Sequence, residues 1–554
     1  MRSSERRDQL LAALQPAVAQ YREQSGAPDV LVSITDANGT LLRLSESAAT
    51  VAVSRRDLVD ALFEIGSISK SIVAVATLRS VRAGLVSLAQ PVATWLPVFR
   101  SPELARVTLH DLLTHTAGLP IGSVAAPWSE WDVQVIRQVP RFDDALGRFY
   151  YSNLGYNALG DVLECAHGVP LARILEREVF EPLLMRSARG AITHADRYAV
   201  IEGHAACDAE PLHWLGDALL PAVWEESLGA AGCVISNAED LCKFLRALLR
   251  QGEGVLTDAE HALMFGAHSV SEAGDHYGYG LFTSLALHPQ RFFHGGGMIG
   301  HRCLMMGDRA SGLGVTVMTN MGGSQRGSLL LKIGHELLDR TAEVLARRTI
   351  VPRAPVSFEP PDLLPFVGRF FCASDARRVA EFAFVDGELR HAVGDENHSV
   401  QWTETHRCMS RCEGWSDFEM QFGQEIDGRF AFLMHGSRRF DRSPQFDRVN
   451  TVVTPAETQV LHALAGRYRS RNPWGSLIQI VEEDGRVHIH IGHISAALVP
   501  LGENLFRIEN TPETVRFDSP WEGWMLRVEL TGSAYFRCKD ELRLRLSGCR
   551  STCK

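Results

Sequence analysis

Polar and apolar positions recur at helical spacing through the first twenty residues, MRSSERRDQLLAALQPAVAQ, and predict an amphipathic helix. DVLVSI (29–34) and TLLRL (40–44) then flank TDANG, whose Asn38-Gly39 pair is a strong hairpin signal. A helical pattern covers 67–86, and 101–250 is helix-rich with loops. Three short apolar runs follow as consecutive strands: QRFFH (290–294), HRCLMM (301–306) and LGVTVMT (313–319). GSLLLKIGHELLDRTAEVLARR closes this part as a long helix to about residue 348. Strands at both ends of a helical middle predict an α+β domain over residues 1–348, an antiparallel sheet covered by helices.

Beyond it the pattern changes. TIVPRAPVSFEPPDLLP is proline-rich and aperiodic, which places a linker at 349–361. Short alternating strands and turns then run almost to the end, with an internal repeat. FVGRF (366–370) echoes LAGRY (464–468), and FVDGEL (384–389) echoes VEEDGRV (481–487). Gly368 and Gly466 stand 98 residues apart, as do Gly387 and Gly485. Two homologous all-β modules are expected, 362–456 and 457–554. Their size and many short strands favour small closed antiparallel barrels, which leave no exposed edge.

Composition narrows the function classes. At 45% hydrophobic and 22% charged residues the chain is ordinary globular protein. A net charge of −10 argues against nucleic acid as a partner. No apolar run approaches the ~18 residues of a membrane span, and the N-terminus lacks the apolar core and cleavage pattern of a signal peptide, so no membrane partner is expected. Eleven scattered cysteines without a CxxC pair fit free thiols in a reducing compartment. The expectation is a soluble cytoplasmic protein. Of 56 basic residues only five are lysines, so the position of Lys70 carries information.

FEIGSISK (63–70) holds the strongest chemical signal. On a helix, Ser67 and Lys70 share a face, so the amine reaches the hydroxyl. A serine is a weak nucleophile until a neighbour takes its proton, and a desolvated lysine has the lowered pKa to do so. Ser551 and Lys554 repeat the spacing at the extreme end of the chain, where no pocket is expected. FYYSNLGY (149–156) adds Tyr151 and Asn153 in a predicted loop, and FFHGGGMIG (292–300) puts His294 and three glycines at the end of a strand. Glycines there let backbone N–H groups approach a substrate carbonyl. Other motifs carry less. Gly295 to Gly300 fits GxGxxG, but a strand rather than a helix follows it. HIHIGH offers His488, His490 and His493 to a metal, yet fits a solvent-facing polar row. No GxSxG elbow of an α/β-hydrolase occurs.

GSISK, YSN and HGGG in this order resemble the serine penicillin-recognising family, which comprises class C β-lactamases, DD-carboxypeptidases, esterases and D-aminopeptidases. LLTHTAGLP (112–120), VFEPLLM (179–185) and GAAGCVISNAEDLCKFLRALL (229–249) are similar to its connecting motifs, and the resemblance covers about 25–345. His294-Gly295-Gly296 stands where β-lactamases carry Lys-Thr-Gly, which points to the D-aminopeptidase and esterase branches. The two modules at the end resemble the paired β-barrels of D-aminopeptidase. The resemblance implies that Ser67 forms an acyl-enzyme, with Lys70 and Tyr151 sharing general-base work. It gives Asn153, His294 and Gly296 to substrate binding and the N–H groups of Ser67 and Gly297 to an oxyanion hole. Neither metal nor organic cofactor is implied. The expected activity is an aminopeptidase or amidase releasing N-terminal D-amino acids. The alternatives are an esterase or acyltransferase, a β-lactamase or DD-carboxypeptidase, and a non-catalytic binding protein. Partners are a small peptide, amide or ester, and a second copy in a homodimer.

Overall fold

The hairpin expected near the N-terminus does not stand alone: it forms one side of a sheet completed by strands almost three hundred residues later. A computed structural model describes residues 3–48, 58–122, 136, 142, 145–206, 215–216, 218–271, 274–285, 288–322, 327–346, 360, 362–372, 379–393, 396–412, 415, 419–435, 438–442, 463–470, 477–483, 486–491, 494–521 and 523–538. The 349–361 linker expected from composition and the Ser551–Lys554 pair fall outside these residues, apart from Pro360.

Helix α1 (Ser3–Ser25) leads into strands β1 (Asp29–Asp36) and β2 (Thr40–Ser47). Helices α2 (Ser69–Arg82), α3 (Leu109–Leu113), α4 (Asn153–His167) and α5 (Ala238–Leu249) form the helical middle. Strands β3 (Ser269–Val270), β4 (His276–Tyr277), β5 (Phe282–Ser284), β6 (Arg291–Met298), β7 (His301–Asp308) and β8 (Leu313–Thr319) precede the closing helix α6 (Gly327–Leu345). The sheet runs β2-β1-β8-β7-β6-β5-β4-β3 with antiparallel neighbours. Leu31 stands opposite Met318, so the two ends of this unit close on each other.

Both faces of the sheet are covered, which explains why β7 and β8 read as continuous apolar runs rather than alternating ones. Leu304 and Met306 lie against Gly334 of α6. Cys303 and Met305, on the opposite face by the two-residue period of a strand, join the core with Phe244 and Leu245 of α5. Residues 1–206 and 215–353 make one compact unit, and the all-β modules belong to a second.

The second unit contains two closed eight-stranded antiparallel barrels, from Gly368–Cys372 to Arg438–Asp441 and from Gly466–Arg469 to Ser533–Arg537. The first five strands of one begin 98 residues before those of the other; the last three begin 94 or 95 before. The same device seals both. Arg442 donates to the carbonyls of Pro365, Val367 and Phe430 and lies 4.5 Å from the Phe370 ring centre. Arg537 donates to the carbonyls of Ala463, Ala465 and Met525 and lies 4.9 Å from that of Tyr468. Each arginine satisfies carbonyls that a closing strand leaves unpaired. One expectation is corrected here. His490 is buried rather than part of a solvent-facing row, and His488, two residues before it on the strand Arg486–Ile491, is half-buried.

Candidate active site

Gly66, Ser67 and Ile68 make a single 3₁₀ turn that feeds directly into α2. Gly66 has φ +51°, and a Cβ there would stand 2.6 Å from the Gly297 carbonyl oxygen, so only glycine permits this turn beside β6. Ser67 is half-buried in the turn and Lys70, one helical turn later, is fully buried. Lys70 Nζ lies 3.0 Å from Ser67 Oγ, 2.8 Å from Asn153 Oδ1 and 2.8 Å from the Ala231 carbonyl oxygen. Burial without a carboxylate partner among the described residues pushes its pKa well below that of an ordinary lysine. A neutral amine has two N–H donors and one lone pair. Both carbonyl oxygens can only accept, so they take the two N–H groups and leave the lone pair facing the Ser67 hydroxyl.

Tyr151 enters from the chain before α4. Ser152 caps that helix, its Oγ accepting from the Gly155 N–H at 3.0 Å and donating to the Pro120 carbonyl at 2.7 Å. The expectation that Tyr151 and Asn153 share a loop is therefore corrected: Asn153 is the first residue of the helix. The Tyr151 hydroxyl hydrogen-bonds Ser67, and burial holds the phenol above its usual pKa, so it keeps its proton. Its ring centre is 4.8 Å from Lys70 Nζ.

The glycines do not end their strand. Strand β6 continues through Gly295, Gly296 and Gly297 to Met298, paired along its whole length with β7. Its other edge meets β5 only at Phe293–Phe282, and from His294 onward the Ser67 turn lies along it instead. A Cβ on Gly296 would stand 1.9 Å from the Ile65 carbonyl oxygen and 3.3 Å from the Ser67 nitrogen. His294 is buried, with Nδ1 2.6 Å from the Gly295 carbonyl oxygen and Nε2 3.4 Å from the Tyr277 hydroxyl. Burial, and then the positive charge Lys70 would carry, bring its pKa down to about 3, so the ring is neutral. Ser67, Tyr151, Phe282, Phe293, His294 and Arg302 are among the residues lining a cavity of about 340 Å³.

Ser67, Tyr151, His294, Gly296 and Gly297 thus line one cavity, and Lys70 joins Ser67 to Asn153 beside it. Sequence reasoning missed the Ala231 carbonyl, which has no side-chain signature, and it passed over His115 and Tyr277. The first of these lies in LLTHTAGLP, quoted as a connecting motif without a chemical reading. No cluster of three metal-ligating side chains occurs among the described residues.

A sheet covered by helices, with a buried lysine hydrogen-bonded to a serine at its edge, defines a serine hydrolase of the β-lactamase and penicillin-binding-protein fold. The chain belongs to the Beta-lactamase family, whose model matches residues 14–333. It is 30% identical to Esterase EstB of Burkholderia gladioli over 345 residues, covering 52% of this chain and 85% of that one. Penicillin-binding protein 4* of Bacillus subtilis is 26% identical over 269 residues, covering 45% and 58%. Among solved structures, the octameric penicillin-binding protein homologue from Pyrococcus abyssi superimposes with a TM-score of 0.53 at 20% identity, over 78% of this chain and 99% of that one. The D-amino acid amidase from Ochrobactrum anthropi SV3, complexed with D-phenylalanine, gives 0.51 at 23%, over 61% and 99%. These two show the fold. No described helix is long and apolar enough to cross a membrane.

Proposed function

We propose that the protein is an amidase, most specifically an aminopeptidase that releases N-terminal D-amino acids through an acyl-enzyme on Ser67. One observation carries this reading: the same Ser67 hydroxyl meets Lys70, whose pKa burial lowers, and Tyr151, whose pKa burial raises. An ester expels an alkoxide or phenoxide and needs little help. An amide expels an amine that must be protonated as the C–N bond breaks.

Lys70 takes the Ser67 proton while Oγ attacks the carbonyl carbon. The negative charge that develops on the carbonyl oxygen meets the N–H groups of Ser67 and Gly297. Tyr151 gives its proton to the leaving nitrogen, and the ammonium of Lys70 returns a proton to the phenolate. Water, deprotonated by the same pair, then releases the acid from Ser67. Asn153 turns Oδ1 to Lys70, leaving its amide N–H groups for the substrate. Gly296 admits the strand to the turn, and His294 forms the facing wall. A reducing, cytoplasmic setting accords with the free thiols of all eight described cysteines.

The esterase reading is the alternative, favoured by the likeness to Esterase EstB. Turnover of D-alanine p-nitroanilide, its L-isomer and p-nitrophenyl acetate, beside Ser67→Ala, separates the two. Cleavage of the D-anilide that Ser67→Ala abolishes is the expected result. Ester cleavage with both anilides untouched overturns the amidase assignment, and activity surviving in Ser67→Ala overturns the nucleophile.

A further inference from the structure

The two residues that do chemistry on Ser67 are not equally anchored. Lys70 is part of a helix and three hydrogen bonds fix its amine. Tyr151 sits on a short extended segment, 149–152, whose place depends on what it rests against. Pro120 holds the Ser152 hydroxyl, and the backbone on both sides of Tyr151 is held by one residue, His115. Its carbonyl accepts the Tyr150 N–H at 2.8 Å, and its Nδ1 accepts the Ser152 N–H at 3.0 Å, so one residue holds both neighbours of Tyr151. Its ring lies 4.4 Å from the Tyr151 ring at an angle of 35°, and meets Phe149 edge-on at 5.7 Å.

The tautomer follows from the backbone. Because Nδ1 accepts from an amide, neutral His115 carries its proton on Nε2, which donates to the Tyr277 hydroxyl at 3.2 Å. Burial pushes the imidazole pKa well below its ordinary value, and any positive charge on Lys70 or His294 would lower it further. The same Tyr277 hydroxyl stands 3.4 Å from His294 Nε2 and also bonds Tyr156. One imidazole thereby connects the Tyr151 segment to the opposite wall of the cavity.

The backbone of His115 is left-handed, with φ 59°, just past the C-cap Thr114 of α3. Glycine is the residue that helix ends favour at this position, since any Cβ there is strained. A histidine held where glycine would be easier marks a side chain in use. We infer that His115 is a positioning residue that sets the Tyr151 hydroxyl on Ser67 and thereby makes the site an amidase rather than only an esterase. The inference rests on the acid role given to Tyr151 above.

The test compares His115→Gly and His115→Asn with wild type on a p-nitroanilide that wild type hydrolyses and on p-nitrophenyl acetate. Glycine relieves the strained backbone but leaves a cavity where the buried imidazole packs, so a merely structural residue predicts a lowered Tm with an unchanged amide-to-ester ratio. The positioning role predicts that amide kcat falls by about 100-fold with KM little changed, while ester kcat falls by about tenfold or less. Asparagine tolerates the left-handed backbone, and its Oδ1 still accepts from the Ser152 N–H, so its amide-to-ester ratio is expected between those of wild type and the glycine variant. A folded His115→Gly enzyme whose amide-to-ester ratio stays within about twofold of wild type overturns the inference. Should the glycine variant lose its thermal transition, the asparagine variant decides alone: a lowered ratio supports the inference and an unchanged ratio overturns it. If wild type hydrolyses no anilide, the proposed function fails, and His115 is then judged on ester acylation. A fall in that rate at unchanged KM supports positioning, and no fall overturns it.

Discussion

Burial without a carboxylate partner among the described residues lowers the Lys70 pKa, and Asn153 is where that could be changed most simply. Asn153 Oδ1 is 2.8 Å from Nζ in a buried site. Asn153→Asp keeps the oxygen and adds a negative charge, which stabilises the ammonium and raises the lysine pKa. The base must be neutral, so activity exists above that pKa and disappears as pH falls through it. The acidic limb of kcat/KM should therefore move upward in Asn153→Asp, with turnover lost near neutrality and recovered in alkali. A pH–rate profile with an unmoved limb would show that this limb does not report Lys70. Much of this chemistry was legible from the i,i+3 spacing of Ser67 and Lys70 and from the scarcity of lysine. The Ala231 carbonyl was not, because a backbone oxygen leaves no mark on sequence, and the tautomer of His115 depends on an amide thirty-seven residues away.

Strand β6 shows how an element prepares a site. A run of three glycines reads as the end of a strand, which would close it at His294. The strand continues because β7 pairs with every residue of it, while the glycines serve the other edge, where the Ser67 turn replaces a strand partner. Gly296→Ala would place a methyl group 1.9 Å from the Ile65 carbonyl, against backbone that cannot rotate away. Since β7 holds the strand, the turn carrying Ser67 must give, and a shift of about 1 Å there is worth on the order of 100-fold in rate. The expected outcome is a folded protein with kcat reduced to that extent. Gly39→Ala, where a Cβ meets nothing within 4 Å, is the control and should leave both Tm and kcat unchanged. Wild-type turnover in a folded Gly296→Ala enzyme would mean that this close approach is not required.

At the scale of the whole molecule, the 98-residue repeat was legible from glycine landmarks because Gly368 and Gly466 each open the first strand of a barrel, and Gly387 stands in the turn between two strands. The change to 94 was not, since it arises in the connection after the fifth strand, nine residues, 411–419, in one barrel against five, 509–513, in the other; the sixth strand, one residue longer in the second barrel, then makes it 95. Strands, not connections, carry the alternation that sequence reveals. The barrels also close their own edges and, as in the cluster around Tyr468, Phe517 and Tyr535, bury their own cores. Ser67, Lys70, Tyr151, Asn153, His115 and His294 all belong to the first compact unit, whose core runs from α2 through the sheet. A chain ended at residue 353 is therefore expected to fold with its own thermal transition and to acylate Ser67 with p-nitrophenyl acetate within about tenfold of the full-length rate. Mass spectrometry of the trapped acyl-enzyme measures this directly. A truncated unit that melts cooperatively but leaves Ser67 unacylated would show that the barrels complete the catalytic machinery. Ester acylation retained beside lost peptide turnover would instead assign them to the substrate, because the small ester needs only the groups around Ser67 whereas a peptide extends beyond them.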